Sequence, residues 1–199
     1  MTPRRLYLIR HGETDWNAAR RLQGRLDIPL NDRGRAQSAR CGKILRALIA
    51  AGGRTADEFA FISSPLSRAR ETMEIARVEL GLTPKQYVVD VRLAEMSFGR
   101  WEGLTYEEVK ARDRAGLAMR ERDKWNCSPP DGESYAMLCA RVRDWHAALA
   151  GDAIVAAHGG VARALMVVLG VRAQAEAPLG AIEQGVVYEF APGAMSRHD

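Results

Sequence analysis

Residues 153–169 read AIVAAHGGVARALMVVL. The first five are apolar without alternation, the pattern of a strand buried on both faces near the middle of a parallel sheet. His158, Gly159 and Gly160 interrupt the run, and residues 161–169 resume it with helical spacing. A buried strand that passes through a short polar turn directly into a helix is half of a βα unit, and such units impose a parallel sheet with helices packed over it. Outward from this stretch the same alternation recurs. Residues 6–9, 59–63, 87–91 and 186–190 are further short strand-like runs. Asn31 is placed to cap a helix carrying Cys41, Ile44, Leu45, Leu48 and Ile49 at three- and four-residue steps until Gly52 and Gly53. Ser64 and Pro65 supply an N-cap and a first-turn proline for a second helix through Leu66, Ala69, Met73, Ala76 and Leu80. Leu138, Val142, Trp145 and Leu149 mark a third, ending at Gly151. The predicted fold is α/β, with three layers: a mainly parallel central sheet, helices on both faces, and a small inserted helical lid. The lid is residues 104–130, where the alternation breaks and charge is dense.

Composition narrows the function classes. The chain has 199 residues, 47% hydrophobic and 27% charged, a balance that supports one well-buried core, so a single domain over residues 1–199 is expected. No apolar run approaches the roughly 18–20 residues of a membrane span, and the N-terminal run is too brief for a secretion signal. The expectation is a cytoplasmic protein with no membrane partner. Net charge is +4, but the 25 arginines are dispersed among nearly as many acids instead of forming a basic stripe, which argues against nucleic acid. Cys41, Cys127 and Cys139 lie far apart and suggest neither disulfides nor a zinc site. A homodimer is compatible with the sequence and not required by it.

Ligands of open α/β sheets bind beyond the carboxyl ends of the strands, so the residues that follow each strand are the candidates for chemistry. They form a coherent set. The first strand leads into Arg10-His11-Gly12-Glu13-Thr14, the second through Ser63-Ser64-Pro65 to Arg68, the third to Glu95, and the fourth to His158-Gly159-Gly160. Together they describe a pocket of two guanidiniums, two imidazoles, one carboxylate and a glycine-lined helix start, which suits a phosphoryl group. Gly12 is expected to let a substrate approach His11, the candidate nucleophile. Attack requires one ring nitrogen of His11 deprotonated while the other donates to a fixed acceptor, expected to be a backbone carbonyl. Glu95, beside Met96 and Phe98, is the candidate to protonate the leaving alkoxide, and His158 completes the electrostatic cage.

These residues resemble the signature of the histidine phosphatase superfamily, in its phosphoglycerate-mutase-like branch. The resemblance runs through five blocks in order: Arg10-His11-Gly12-Glu13-Thr14 with Trp16-Asn17, Gln23-Gly24 with Asp27-Ile28-Pro29-Leu30, Ser64 to Ala69 with Thr72, Glu95 to Gly99 with Trp101-Glu102-Gly103, and Ala157 to Gly160. It implies a phosphohistidine on His11, a phosphate pocket of Arg10, Arg68 and His158, and Glu95 as proton donor. Asn17, Gln23, Gly24 and Gly159 are implied at the pocket wall. No cofactor and no metal is implied; the expected ligands are a small phosphorylated substrate and inorganic phosphate. Pro129-Pro130-Asp131-Gly132-Glu133-Ser134 resembles the block that opens a helix in the phosphatases, with Asp131 where glycine is common, and Glu133 is either substrate-facing or part of a helix cap. The leading expectation is therefore a metal-independent phosphomonoesterase. The alternatives are a cofactor-dependent phosphoglycerate mutase, a protein phosphohistidine phosphatase, or a weakly active phosphate-binding regulatory module.

Overall fold

The computed structural model describes residues 4–199. In chain order its principal elements are β1 (Leu6–Arg10), α1 (Asp15–Ala18), α2 (Asp32–Ala51), β2 (Ala60–Ser63), α3 (Ser67–Glu79), β3 (Val88–Val89), α4 (Tyr106–Arg112), α5 (Arg114–Arg122), α6 (Tyr135–Ala147), β4 (Ala153–Ala157), α7 (Gly159–Val168), β5 (Val187–Ala191) and β6 (Ala194–His198). The six strands form one sheet in the order β3-β2-β4-β1-β5-β6. β3, β2, β4 and β1 are parallel, while β5 and β6 join antiparallel. The sheet is thus mixed, with the parallel part at its centre as the sequence predicts.

Side-chain alternation on β1 explains why both faces are covered. Tyr7 and Ile9 point into a core with Cys41, Leu45 and Ile49 of α2, Met73 of α3 and Ile154. Leu6 and Leu8 point the other way, into a core with Leu138, Val142 and Trp145 of α6 and Leu165 of α7. Every residue of β4 is buried, and each large aliphatic so placed contributes about 1.5–3 kcal/mol. A third cluster of Leu22, Trp101, Val109 and Leu117 holds α4 and α5 together, apart from the two sheet cores. Among the described residues no helix is long and apolar enough to cross a membrane.

Three boundaries differ from the sequence reading. The strand expected over 87–91 shrinks to Val88–Val89, because it pairs only with β2 and the chain turns into a short 3-10 segment at Val91–Leu93. α3 begins at Ser67 with Leu66 as its N-cap and no side-chain bond from that residue. Ser64 does not cap it; the Ser67 N–H and hydroxyl instead donate to Asp27 Oδ1, both at 2.8 Å, from a loop distant in sequence. β6 was not expected: it is a solvated edge strand with little apolar content, paired to β5 alone.

Candidate active site

The strand register sets three chain ends at one level. Arg10 is opposite Ala157 and Ser63 opposite Ala156; the ladder then continues through His11 N–H to Ala157 O at 2.9 Å and Ser64 N–H to Ala156 O at 3.0 Å. His11, Ser64 and His158 are thereby neighbours. The His11 and His158 rings lie 5.1 Å apart at 58°.

His11 is 3% exposed. Its Nδ1 is 2.7 Å from Gly12 O; a carbonyl only accepts, so Nδ1 carries the proton and Nε2 keeps a free lone pair. Burial, then Arg10 and Arg68, push its pKa well below the usual imidazole value of 6.5. The carbonyl acceptor that the sequence could not locate is therefore the next residue's own. Gly12 has a different purpose from the one expected. A Cβ there would meet Gly34 O at 2.1 Å, so glycine is needed for the loop to pack on the start of α2, not for substrate to approach.

Arg68 is fully buried in the first turn of α3, its Nη1 donating to Leu26 O at 2.7 Å and its Nη2 to Gly24 O at 2.8 Å. Arg10 donates to Ile182 O from Nη1. Burial lowers the pKa of both guanidiniums, against the opposing pull of Glu95. His158 is wholly buried, with Nε2 2.6 Å from Ser64 Oγ; burial and then Arg68, His11 and Arg10 hold its pKa well below 6.5. Ser64, read from sequence as a helix cap, is thus a histidine-orienting residue.

Glu95 is half-buried and sits on the N-terminus of α7. Oε2 accepts from Gly160 N–H at 3.1 Å and Oε1 from Met96 N–H at 2.9 Å. A Cβ on Gly160 would lie 2.3 Å from Glu95 Oε1, so a side chain there would displace the carboxylate. One of the helix N–H groups expected to face phosphate is therefore occupied by the carboxylate. Glu133 does not line the cavity. Its carboxylate receives Arg141 Nε and Nη2 and the Ser97 N–H, each at 3.0 Å, and pairs with Arg25; burial opposes its charge, but Arg141 and the other donors outweigh that and lower its pKa. Arg141 Nη2 also donates to Glu95 O at 3.1 Å, so this ion pair fixes the Glu95 backbone, while Ser134 caps α6. Asp131 adopts φ 59°, the left-handed region that glycine occupies at no cost and Asp tolerates.

Arg10, His11, Asn17, Gln23, Gly24, Arg68, Glu95 and Gly159 all line one cavity of about 180 Å³, together with Arg21, Leu22, Phe98 and Arg163. His158, wholly buried beside His11, is not one of the cavity's lining residues. Among the described residues five buried side-chain N or O atoms have no hydrogen-bond partner, and four belong here: Arg10 Nε, Gln23 Oε1, Arg68 Nε and His158 Nδ1. An unmet buried polar group costs about 1–3 kcal/mol, so their concentration in one place marks a site arranged for a polar ligand. Among the described residues no group of three or more His, Cys, Asp and Glu side chains is arranged to hold a metal ion. Sequence reading missed Gln184, whose Nε2 donates to His11 O at 3.1 Å and Asn17 Oδ1 at 3.0 Å; a lone glutamine in a loop carries no local signal. It also missed Arg163, which the four-residue step from Gly159 along a helix could have placed on the same face.

Comparison with known proteins identifies the family. Residues 6–189 match the family model of the histidine phosphatase superfamily (branch 1). The chain is 35% identical over 184 residues to a glucosyl-3-phosphoglycerate phosphatase of Mycobacterium tuberculosis, covering 85% of this chain and 76% of that protein. It is 34% identical over 173 residues to a 2,3-bisphosphoglycerate-dependent phosphoglycerate mutase of Azorhizobium caulinodans, covering 83% and 81%. A solved structure of a mycobacterial glucosyl-3-phosphoglycerate phosphatase in complex with inorganic phosphate superimposes with TM-score 0.74 and 30% identity, over 94% of this chain and 88% of that one.

Proposed function

Because the chain belongs to the histidine phosphatase superfamily (branch 1), we propose that it hydrolyses the phosphomonoester of a small metabolite in two displacements at the cavity between Arg10, His11, Arg68 and Glu95. His11 Nε2 attacks phosphorus, forming an N–P bond as the P–O bond to the alcohol breaks. Glu95 in its acid form gives its proton to the departing oxygen. A water then attacks the phosphohistidine, Glu95 takes that water's proton, the N–P bond breaks and inorganic phosphate leaves. Arg10 and Arg68 hold the phosphoryl oxygens, each charge-assisted hydrogen bond contributing about 1.5–3 kcal/mol. His158 supports the same cage beside His11, oriented by Ser64. Asn17, Gln23, Gly24 and Gly159 form the wall, and residues 104–130, which carry α4 and α5, act as the lid.

The observation that carries this reading is the tautomer of His11: a neutral ring, its Nδ1 proton committed to Gly12 O at 2.7 Å, with Nε2 free among guanidiniums. The test is trapping with a labelled phosphomonoester under an alkaline denaturing quench, followed by peptide mapping at alkaline pH. An acid-labile phosphoryl group on His11 is expected, and turnover in His11→Ala is expected to fall by at least about 10³-fold. Undiminished hydrolysis by that variant, or turnover abolished by a chelator, would overturn the scheme. The likeness to a phosphoglycerate mutase supports a second reading, transfer to another hydroxyl of a phosphoglycerate. A mutase requires priming by a bisphosphorylated compound; steady hydrolysis without primer decides for the phosphatase.

A further inference from the structure

The fifth orphaned buried atom is Nε of Arg120, on α5. This side chain is 3% exposed, yet its surroundings are poor for a cation: Nη2 is 3.7 Å from Met96 Sδ, and the guanidinium carbon is 5.6 Å from the centre of the Phe98 ring. It forms no ion pair among the described residues. Removing a guanidinium from water without an anion is unfavourable, so its burial here points to an anion that arrives with the substrate. Arg163 likewise forms no ion pair among the described residues. It lines the cavity and donates from Nε and Nη2 only to Gly180 O, at 3.2 and 2.8 Å. Its Nη1 comes within 3.4 Å of the point where a Gly159 side chain would begin, and Arg10 Nε within 3.7 Å of the same point, so Arg163 adjoins the phosphate end.

The two cations share a neighbourhood. The Arg120 guanidinium lies over Phe98, which lines the same cavity as Arg163, and both cations act on the Tyr135 phenol, whose pKa burial raises. Glu95 marks the side on which the alcohol leaves. Phe98, under Arg120, and Arg163 are both part of the cavity wall. Arg10 and Arg68 suffice for the two charges of a phosphoryl group, and Arg21 at the mouth is already paired with Glu108 at 2.9 Å. Arg163 and Arg120 are in excess of what a phosphate alone requires.

We infer that Arg163 and Arg120 form a subsite for a second anionic group, carboxylate or phosphoryl, on the alcohol half of the substrate. The enzyme is then selective for phosphomonoesters that carry two anionic groups. The inference rests on the phosphomonoesterase reading above, and its test separates the two. Values of kcat/KM are measured for two matched pairs: 3-phosphoglycerate against glycerol 3-phosphate, and propane-1,3-diol bisphosphate against its monophosphate. The doubly anionic member is expected to be favoured by about tenfold or more in at least one pair, which also tells carboxylate from phosphoryl. In Arg163→Gln and in Arg120→Met that ratio is expected to fall about tenfold, while Arg163→Lys restores part of it. Ratios near one in both pairs for the wild type, or ratios unmoved in both Arg163→Gln and Arg120→Met, overturn the subsite. Hydrolysis of p-nitrophenyl phosphate that depends on His11 shows that such a failure belongs to the subsite and not to the phosphatase reading.

Discussion

Acidification should destabilise this protein through its two site histidines. His11 and His158 are held neutral by burial and by the guanidiniums of Arg10 and Arg68, each well below the ordinary imidazole pKa of 6.5. In the unfolded chain each returns to that ordinary value. Below it the unfolded state binds protons that the native state refuses, so stability is complete above pH 6.5 and falls as the pH drops. Between about pH 7 and about pH 5.5 each histidine removes about 1.3 kcal/mol, and the pair about 2.5 kcal/mol. That is a sizeable part of the roughly 5–15 kcal/mol typical of a folded protein. His146, lowered by its partial burial and then by Arg4, adds a smaller share that is common to all variants. Urea unfolding followed by tryptophan fluorescence, in phosphate-free buffer at the two pH values, reads the loss directly. His11→Gln and His158→Gln should each shrink the pH-dependent loss by about 1.3 kcal/mol, whatever their stability at neutral pH. An identical loss in the wild type and both variants would refute the claim that these rings are held neutral, and with it the free lone pair on His11. The same depression places the acid limb of kcat/KM for His11 below pH 6.5.

Glu95→Gln keeps the shape of the side chain but cannot give a proton; kcat/KM, which reports only the steps up to alcohol release, should fall by about 10²–10⁴ on an alkyl phosphate and much less on p-nitrophenyl phosphate, whose leaving group needs none. Equal losses on both esters would contradict the assignment. Gly12→Ala forces a Cβ to within 2.1 Å of Gly34 O, and its urea midpoint should correspond to a loss of about 1–3 kcal/mol; an unchanged midpoint would show that the loop is not packed as described. Inorganic phosphate, by satisfying the orphaned Arg10 and Arg68 nitrogens, should raise stability by about 2.7 kcal/mol at about 100 times its Kd, measured as the shift in thermal unfolding. Arg68→Gln should lose most of that shift.

The helices and central strands were legible because each rests on a local pattern: unbroken apolar character for β4, three- and four-residue steps for α2 and α3, Asn31 as a cap. The site residues were legible because a βα topology sends every strand's carboxyl end to one edge, so Arg10, His11, Arg68, Glu95 and His158 had to be read as a set. β6 and the brevity of β3 were not legible, since an edge strand is defined by its neighbour and not by its own composition.

By itself, then, the sequence determined the layered sheet, the family, and the identity of the proposed phosphate-binding residues and nucleophile. Only the tertiary structure decided how each group is held. Ser64 turned from helix cap to partner of His158 across 94 residues, Asp27 capped α3 across 40, and Gln184 reached His11 across 173. The same is true of Gly12, whose missing side chain makes room for a backbone carbonyl, and of Arg120, whose lack of an anion shows only once it is buried. Periodicity and capping are properties of neighbours along the chain. The choice of hydrogen-bond partner in a dry interior is made between distant segments, by whichever donor and acceptor the packing brings together and water no longer serves.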